Sequence, residues 1–238
     1  MLGSHIRALL LDLDETLLDD DRGMHEAVRR TTSQLVQEVS DIDAELLTRV
    51  YVEESRSFYS ATGLPTVGSG ADGITARTAQ WRSALDRCAI HDDAIVERAV
   101  ALYAAARHDT YQLFPDVLPF LEATAGRYSV AIVTNGAADI QREKIVVTGL
   151  DRHIATIVVS GEIGFWKPEP AIFEGALRRL NVPASAASHV GDSYASDVVG
   201  ARAAGVMPVW LVRSEASSTV GDGEPLLTIR SLAELLDE

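Results

Sequence analysis

Four aspartates, Asp12, Asp14, Asp192 and Asp197, have the type and spacing that chemistry would need. The first two stand in Asp12-Leu13-Asp14-Glu15-Thr16, the others in Gly191-Asp192-Ser193-Tyr194-Ala195-Ser196-Asp197. Each peptide follows an apolar run that reads as a buried strand. If those strands are neighbours, four carboxylates converge on one crevice and call for a cation. An all-oxygen donor set suits a hard divalent ion such as Mg²⁺ better than a soft one. Two residues apart, Asp12 and Asp14 project from the same side of an ideal strand, about 6–7 Å from each other. A turn after Asp12 lets one carboxyl attack while the other donates a proton, the split that covalent phosphoryl transfer requires.

Other polar groups fall at the ends of apolar runs, where open parallel sheets bind ligands. Thr134-Asn135-Gly136 supplies a hydroxyl and then backbone N–H groups at a strand-to-helix turn. Such a turn is either an anion site or an ordinary cap. Lys167, in the stiff Lys167-Pro168-Glu169-Pro170 loop, is either a surface lysine or a fixed point charge for phosphoryl oxygens or the aspartates. Asp192 is expected to hold the metal, and Asp197 either orients Lys167 or caps a helix. Phe165-Trp166, just before Lys167, reads as core packing rather than as a substrate wall. The six histidines show no metal-ligand spacing, which argues against zinc. No Gly-x-x-x-x-Gly-Lys loop is present, so there is no case for a P-loop ATPase.

Positioning these groups falls to two kinds of element. Residues 6–13, 129–134, 156–160, 188–191 and 207–212 are continuous apolar runs, as expected of parallel strands covered on both faces. Helices are expected over 137–148, 170–180 and 195–204. Between residues 24 and 106 the pattern is helical apart from the aperiodic stretch 63–73. One stripe is Met24, Ala27, Val28, Thr31, Leu35 and Val39, and a second is Leu47, Val50, Tyr51 and Phe58. A third is Ile74, Thr78, Trp81, Leu85 and Cys88, and a fourth is Ile95, Ala99, Leu102, Tyr103 and Ala106. A glycine-rich stretch, 63–73, parts the second stripe from the third. The fold expected is α/β: a doubly wound parallel sheet of Rossmann-like type with an inserted four-helix domain. The boundaries are 6–20 with 109–238 for the core and 21–108 for the insert.

The formal net charge is −14, from 21 Lys and Arg against 35 Asp and Glu. That balance argues against nucleic-acid and anionic-membrane partners, while a small phosphorylated metabolite remains compatible through a bound cation. The one cysteine, Cys88, permits no internal disulfide and reads as a packed thiol in a reducing compartment. No apolar stretch reaches the ~20 residues that span a bilayer, and the first apolar run is broken by Asp12. The expectation is a cytoplasmic protein of unassigned oligomeric state.

With its four stations in order, the chain resembles the haloacid dehalogenase-like (HAD) hydrolase superfamily, in the branch with a helical cap after the first strand. Asp12–Thr16 matches the first motif, Thr134 in Val-Thr-Asn-Gly the second, Lys167 the third, and Asp192 with Asp197 the fourth. Thr134-Asn135-Gly136 with Gln141 and Lys144, and the stretch 167–173, look like N-acylneuraminate-9-phosphatase-like and nucleotidase-like phosphatases. The resemblance implies an Mg²⁺-dependent phosphatase in which Asp12 attacks phosphorus to give an aspartyl-phosphate. Asp14 would protonate the leaving alcohol and then activate water. Asp12, the Asp14 carbonyl and Asp192 would hold Mg²⁺. Thr134, Asn135, Gly136 and Lys167 would bind the phosphoryl oxygens, with Asp197 in support. The insert would be a lid, its specificity resting on 63–73 and on Arg77 or Arg82. The alternatives are a sugar-phosphate mutase, a 2-haloacid dehalogenase and a non-catalytic binding protein. Dehalogenation is disfavoured because Asp14 is present.

Overall fold

Non-alternating apolar runs are stable only where both faces are covered, and the sheet strands obey this rule. In the computed structural model β1 is Ala8–Leu11, β2 Ser129–Thr134, β3 Thr156–Val159, β4 Ala187–Gly191, β5 Met207–Leu211 and β6 Leu227–Ile229. The structure describes residues 2–39, 42–60, 72–213 and 227–236, the side chains of 56–60 excepted. Residues 63–71 of the glycine-rich stretch and the Phe58 side chain lie outside the described residues.

The six strands are parallel in the order β3-β2-β1-β4-β5-β6. The chain builds outward from β1 on one side, then returns to place β4 on the other. This reversal makes the carboxyl end of β1 the switch point of a doubly wound sheet. Leu11 is in register with both Ile132 and Val190, so the ends of β1, β2 and β4 are brought level. Every residue of β1 is buried. The strand expected over 6–13 is shorter, because the chain turns sharply past Asp12 and the N–H groups of Leu17 and Leu18 close on the Leu13 carbonyl. β6 was not expected: at three residues it is too short to show a period.

The helices are α1 Asp20–Glu38, α2 Ala44–Ser60, α3 Gly73–Arg87, α4 Asp93–Thr110, α5 Val117–Thr124, α6 Ala138–Val147, α7 Ser160–Ile163, α8 Pro170–Leu180 and α9 Val199–Ala203. Their ends follow local chemistry. Asp72 and Asp92 cap α3 and α4 by accepting from Thr75 N and Ala94 N, while Pro170 opens α8 and Asn181 closes it in the left-handed region. The helix expected over 195–204 begins instead as a π-helical turn, Tyr194–Val198, before α9.

The chain divides into two compact units. Unit 1 comprises 1–19, 113–136 and 148–238 and holds the sheet. Unit 2 comprises 20–112 and 137–147, so α6 groups with α1–α4. In unit 1, Ala8, Leu10, Val133 and Val158 of the sheet share a core with Ile172, Phe173, Ala176 and Leu177 of α8. In unit 2 the four stripes meet in one core, around the tilted and edge-on rings of Tyr51, Trp81 and Tyr103. Ile74 departs from its expected stripe and is exposed, because it lies in the first turn of α3. Cys88 is half-buried at the end of α3, and burial pushes its thiol up, which suits packing rather than nucleophilic chemistry.

Candidate active site

Unit 1 brings the ends of β1, β2 and β4 together, and with them residues far apart in the chain. The Asp12 backbone N–H donates to the Val190 carbonyl across the β1–β4 pair, at 2.9 Å. Its buried carboxylate accepts from Lys167 Nζ on Oδ1 and from Thr16 Oγ1, at 3.5 Å, on Oδ2. Lys167 Nζ also donates to Asp197 Oδ1 at 2.7 Å. That oxygen accepts His189 Nε2 at 2.9 Å, and Asp197 Oδ2 accepts the Ser193 N–H at 3.0 Å. The π turn delivers Asp197 here by displacing it toward the end of β4. It packs so closely on Gly191 that any Cβ there would overlap its carboxyl group, so the glycine before Asp192 is a steric requirement.

Lys167 is held by its backbone as well as its charge. Asn135 Oδ1 accepts the Lys167 N–H at 2.8 Å, and Asn135 Nδ2 donates to the Lys167 carbonyl at 2.9 Å. The Asn135 side chain is thus a two-pronged clamp on the lysine loop, a role its sequence position does not announce. Thr134 is buried at the end of β2. Gly136 differs from expectation: its N–H donates to Ser160 Oγ at 2.9 Å, so this group is already engaged within the fold. Asp14 is half-buried beyond the end of β1, bridged to Leu18. Phe165 is exposed rather than packed in the core, and Trp166 is half-buried.

Burial sets the charge states. It pushes Asp12 up to about 7 against the pull of Lys167, with Asp197 and Asp14 adding to the rise. Burial and the neighbouring Asp12 and Asp197 push Asp192 up to about 9. Asp197 goes the other way: burial raises it, but Lys167 and His189 outweigh burial and hold it well below the carboxylate range. Burial lowers Lys167, yet Asp12 and Asp197 more than compensate, so it stays charged. His189 is pushed down by burial and is neutral, donating through Nε2 to the ionised Asp197.

One carboxylate oxygen each from Asp12, Asp192 and Asp197 lie within 4.8 Å of one another. This donor set fits a hard divalent cation: all oxygen, net acidic, with two carboxyls forced toward protonation by burial and by the neighbouring carboxylates. Asp197 enters this cluster although the sequence cast it only as a support. Its two oxygens are engaged by Lys167, His189 and Ser193, which favours support over direct ligation.

His189 is a functional neighbour that metal-ligand spacing does not reveal; its one signal in the sequence is a titratable residue inside an apolar run two places before Gly191. Ser160 gave no signal of its own.

The family model of haloacid dehalogenase-like hydrolases matches residues 6–205. The chain belongs to this family. Like its relatives, this HAD hydrolase is an enzyme, and it is similar over nearly its whole length to phosphatases. It is 34% identical over 226 residues to phosphoserine phosphatase of Thermus thermophilus, covering 87% of this chain and 89% of that protein. It is 27% identical over 242 residues to rat N-acylneuraminate-9-phosphatase, covering 98% and 93%. Its fold matches the magnesium-bound HAD hydrolase YfnB of Bacillus subtilis with a TM-score of 0.73 at 22% identity, covering 97% and 96%. Among the described residues no helix is long and apolar enough to cross a membrane.

Proposed function

We propose that this HAD hydrolase is an Mg²⁺-dependent phosphatase of a small phosphomonoester, with Asp12 as nucleophile. The observation that carries this reading is the Asp12 carboxylate at the switch point of the sheet, tethered by a buried lysine and followed two residues later by a second acid. The other line of support is similarity to phosphatases over most of the chain. Asp12, Asp192 and the Asp14 backbone would hold the cation, which supplies neutralisation of phosphoryl charge when bound.

The residues of the chain do the rest. Asp12 attacks phosphorus as the alcohol leaves, giving an aspartyl-phosphate. Asp14 donates the proton to the leaving oxygen and takes one from the water that hydrolyses the acyl phosphate. Lys167 holds a phosphoryl oxygen and keeps Asp12 oriented, while Asp197 and the Asn135 clamp keep Lys167 in place. Thr134 and the Asn135 N–H complete the phosphoryl cradle. Selection of the leaving group is assigned to unit 2, the insert that begins directly after the nucleophile motif and carries Arg77 and Arg82.

The test is phosphate release from a generic aryl phosphate with Mg²⁺ and with chelator, coupled to acid trapping of the protein. Mg²⁺-dependent release with a hydroxylamine-labile phosphoryl group on Asp12 is the expected result. Release that ignores chelator, or a label on another residue, would sink the reading.

The same site predicts proton-linked metal binding. Protons on Asp12 and Asp192 compete with the cation, so Mg²⁺ binding should tighten as pH rises through about 7 to about 9. Because both folded-state values are raised from the ordinary 3.8, the metal-free protein should lose stability as pH rises from there through about 7 and about 9, and Mg²⁺ should restore it most at the alkaline end. Calorimetric titration in buffers of differing ionisation heat would count the protons released. Finding none released near neutral pH would refute this account of the charge states.

A further inference from the structure

One cationic side chain of unit 1 is built into the nucleophile loop although no motif includes it. Arg213 lies just past β5, with its side chain 13% exposed. Its Nε and Nη2 donate to the Thr16 carbonyl at 3.1 and 2.7 Å. Its Nη1 and Nη2 donate to the two oxygens of Asp116 at 3.2 and 3.1 Å. The guanidinium also stacks 3.9 Å from the centre of the Phe114 ring. Asp116 is itself fixed, accepting Ser231 Oγ at 2.7 Å and the Leu232 N–H at 2.8 Å. A planar fork caught between a carboxylate and an aromatic face has little freedom left.

What the fork holds is significant. Thr16 is fully buried, and among the described residues Arg213 alone donates to its carbonyl. The other end of the same residue, Oγ1, faces Asp12 Oδ2. We propose that Arg213 is a positioning residue for the nucleophile: held by Asp116 and Phe114, it fixes the Thr16 carbonyl and thereby the Thr16 hydroxyl that orients Asp12. The proposal rests on Asp12 being the nucleophile. It also gives the segment from β6 to Leu235 a task, since Ser231 and Leu232 brace the carboxylate that braces the arginine.

The experiment compares wild type with Arg213→Met, Arg213→Lys and Asp116→Asn, using Asp12→Asn as control. Two readouts are taken on folded protein: kcat and KM for an aryl phosphate, and the rise in Tm on adding Mg²⁺ with fluoroberyllate, a phosphoryl mimic that adds to a nucleophilic carboxylate. Arg213→Met should lower kcat about 10- to 100-fold with KM within about twofold, and should diminish the Tm rise. Arg213→Lys should retain part of the activity, since one ammonium can reach Thr16 without forking to Asp116. If Arg213→Met does not fold, Arg213→Lys and Asp116→Asn decide the matter, each expected to lower kcat with KM unchanged. A lower Tm with kcat per folded molecule and the fluoroberyllate response at wild-type levels would make Arg213 merely structural and overturn the proposal. A wild type with neither turnover nor response would defeat the nucleophile reading, and this proposal with it.

Discussion

Asp12→Asn is expected to lower kcat by about 10⁴-fold or more while leaving a folded protein. The amide cannot attack phosphorus, and no other carboxylate of the cluster replaces it. Asp197 is committed to Lys167, His189 and Ser193, and Asp192 lies beyond the end of a different strand. The variant should not fail through misfolding. Above about pH 7 the wild-type carboxylate is ionised in a buried position that resists ionisation, and the neutral amide removes that penalty. Lys167 meanwhile keeps Asp197 as its partner. In chelator at mildly alkaline pH, the variant should therefore melt no lower than wild type. Phosphate release and a thermal melt on the same preparation check both halves. Turnover within tenfold of wild type would exclude Asp12 as the nucleophile.

Asp20→Asn is expected to produce the largest loss of stability, and it acts in unit 2. Asp20 serves two buried cations: Arg107 Nη2 donates to Oδ1, and Lys144 Nζ lies 3.2 Å from the same oxygen. Arg107 is 4% exposed and Lys144 5%. The guanidinium of Arg107 also stands 4.8 Å over the Tyr111 ring. Removing the negative charge breaks the buried pair with Arg107 and weakens the contact with Lys144, at a cost of about 3–5 kcal/mol for a broken buried pair. The pH dependence has a definite sign. Burial raises Asp20, but Lys144 and Arg107 outweigh it and bring the carboxyl down to about 2. Its contribution is therefore present above the ordinary carboxylate value and lost as pH falls through about 2. Denaturant unfolding followed by circular dichroism should show the variant far less stable at neutral pH, with the gap closing in strong acid. Equal midpoints at neutral pH would mean that the pair contributes nothing net.

Most sites of chemistry were legible because they lie where an apolar run stops at an acid or a hydroxyl. Asp12, Thr134 and Asp192 meet that description, while Lys167 was legible only from the proline-stiffened loop that holds it. The helical insert was legible from four stripes of one period, and the parallel sheet from runs lacking alternation. These are short-range signals: residue type, spacing and the punctuation of proline and glycine within about ten positions. They determined the class of fold and the acids that gather at the carboxyl ends of its strands.

Only the tertiary structure decided which partner each group has and which protons it carries. Lys167 meets Asp12 across 155 positions, and Arg213 meets Thr16 across 197. The Asn135 clamp on Lys167 and the Ser160 hydroxyl that engages Gly136 join segments 32 and 24 positions apart, and the His189 bond to Asp197 forms where the π turn folds back on β4. Asp12, Asp192 and Asp197 are the same residue type, yet burial and neighbours push two of them up and one down. A side chain's ionisation depends on the water removed from it and the charges placed beside it. Both are properties of the folded chain, because long-range pairing of parallel strands sets them and no local spacing encodes that pairing.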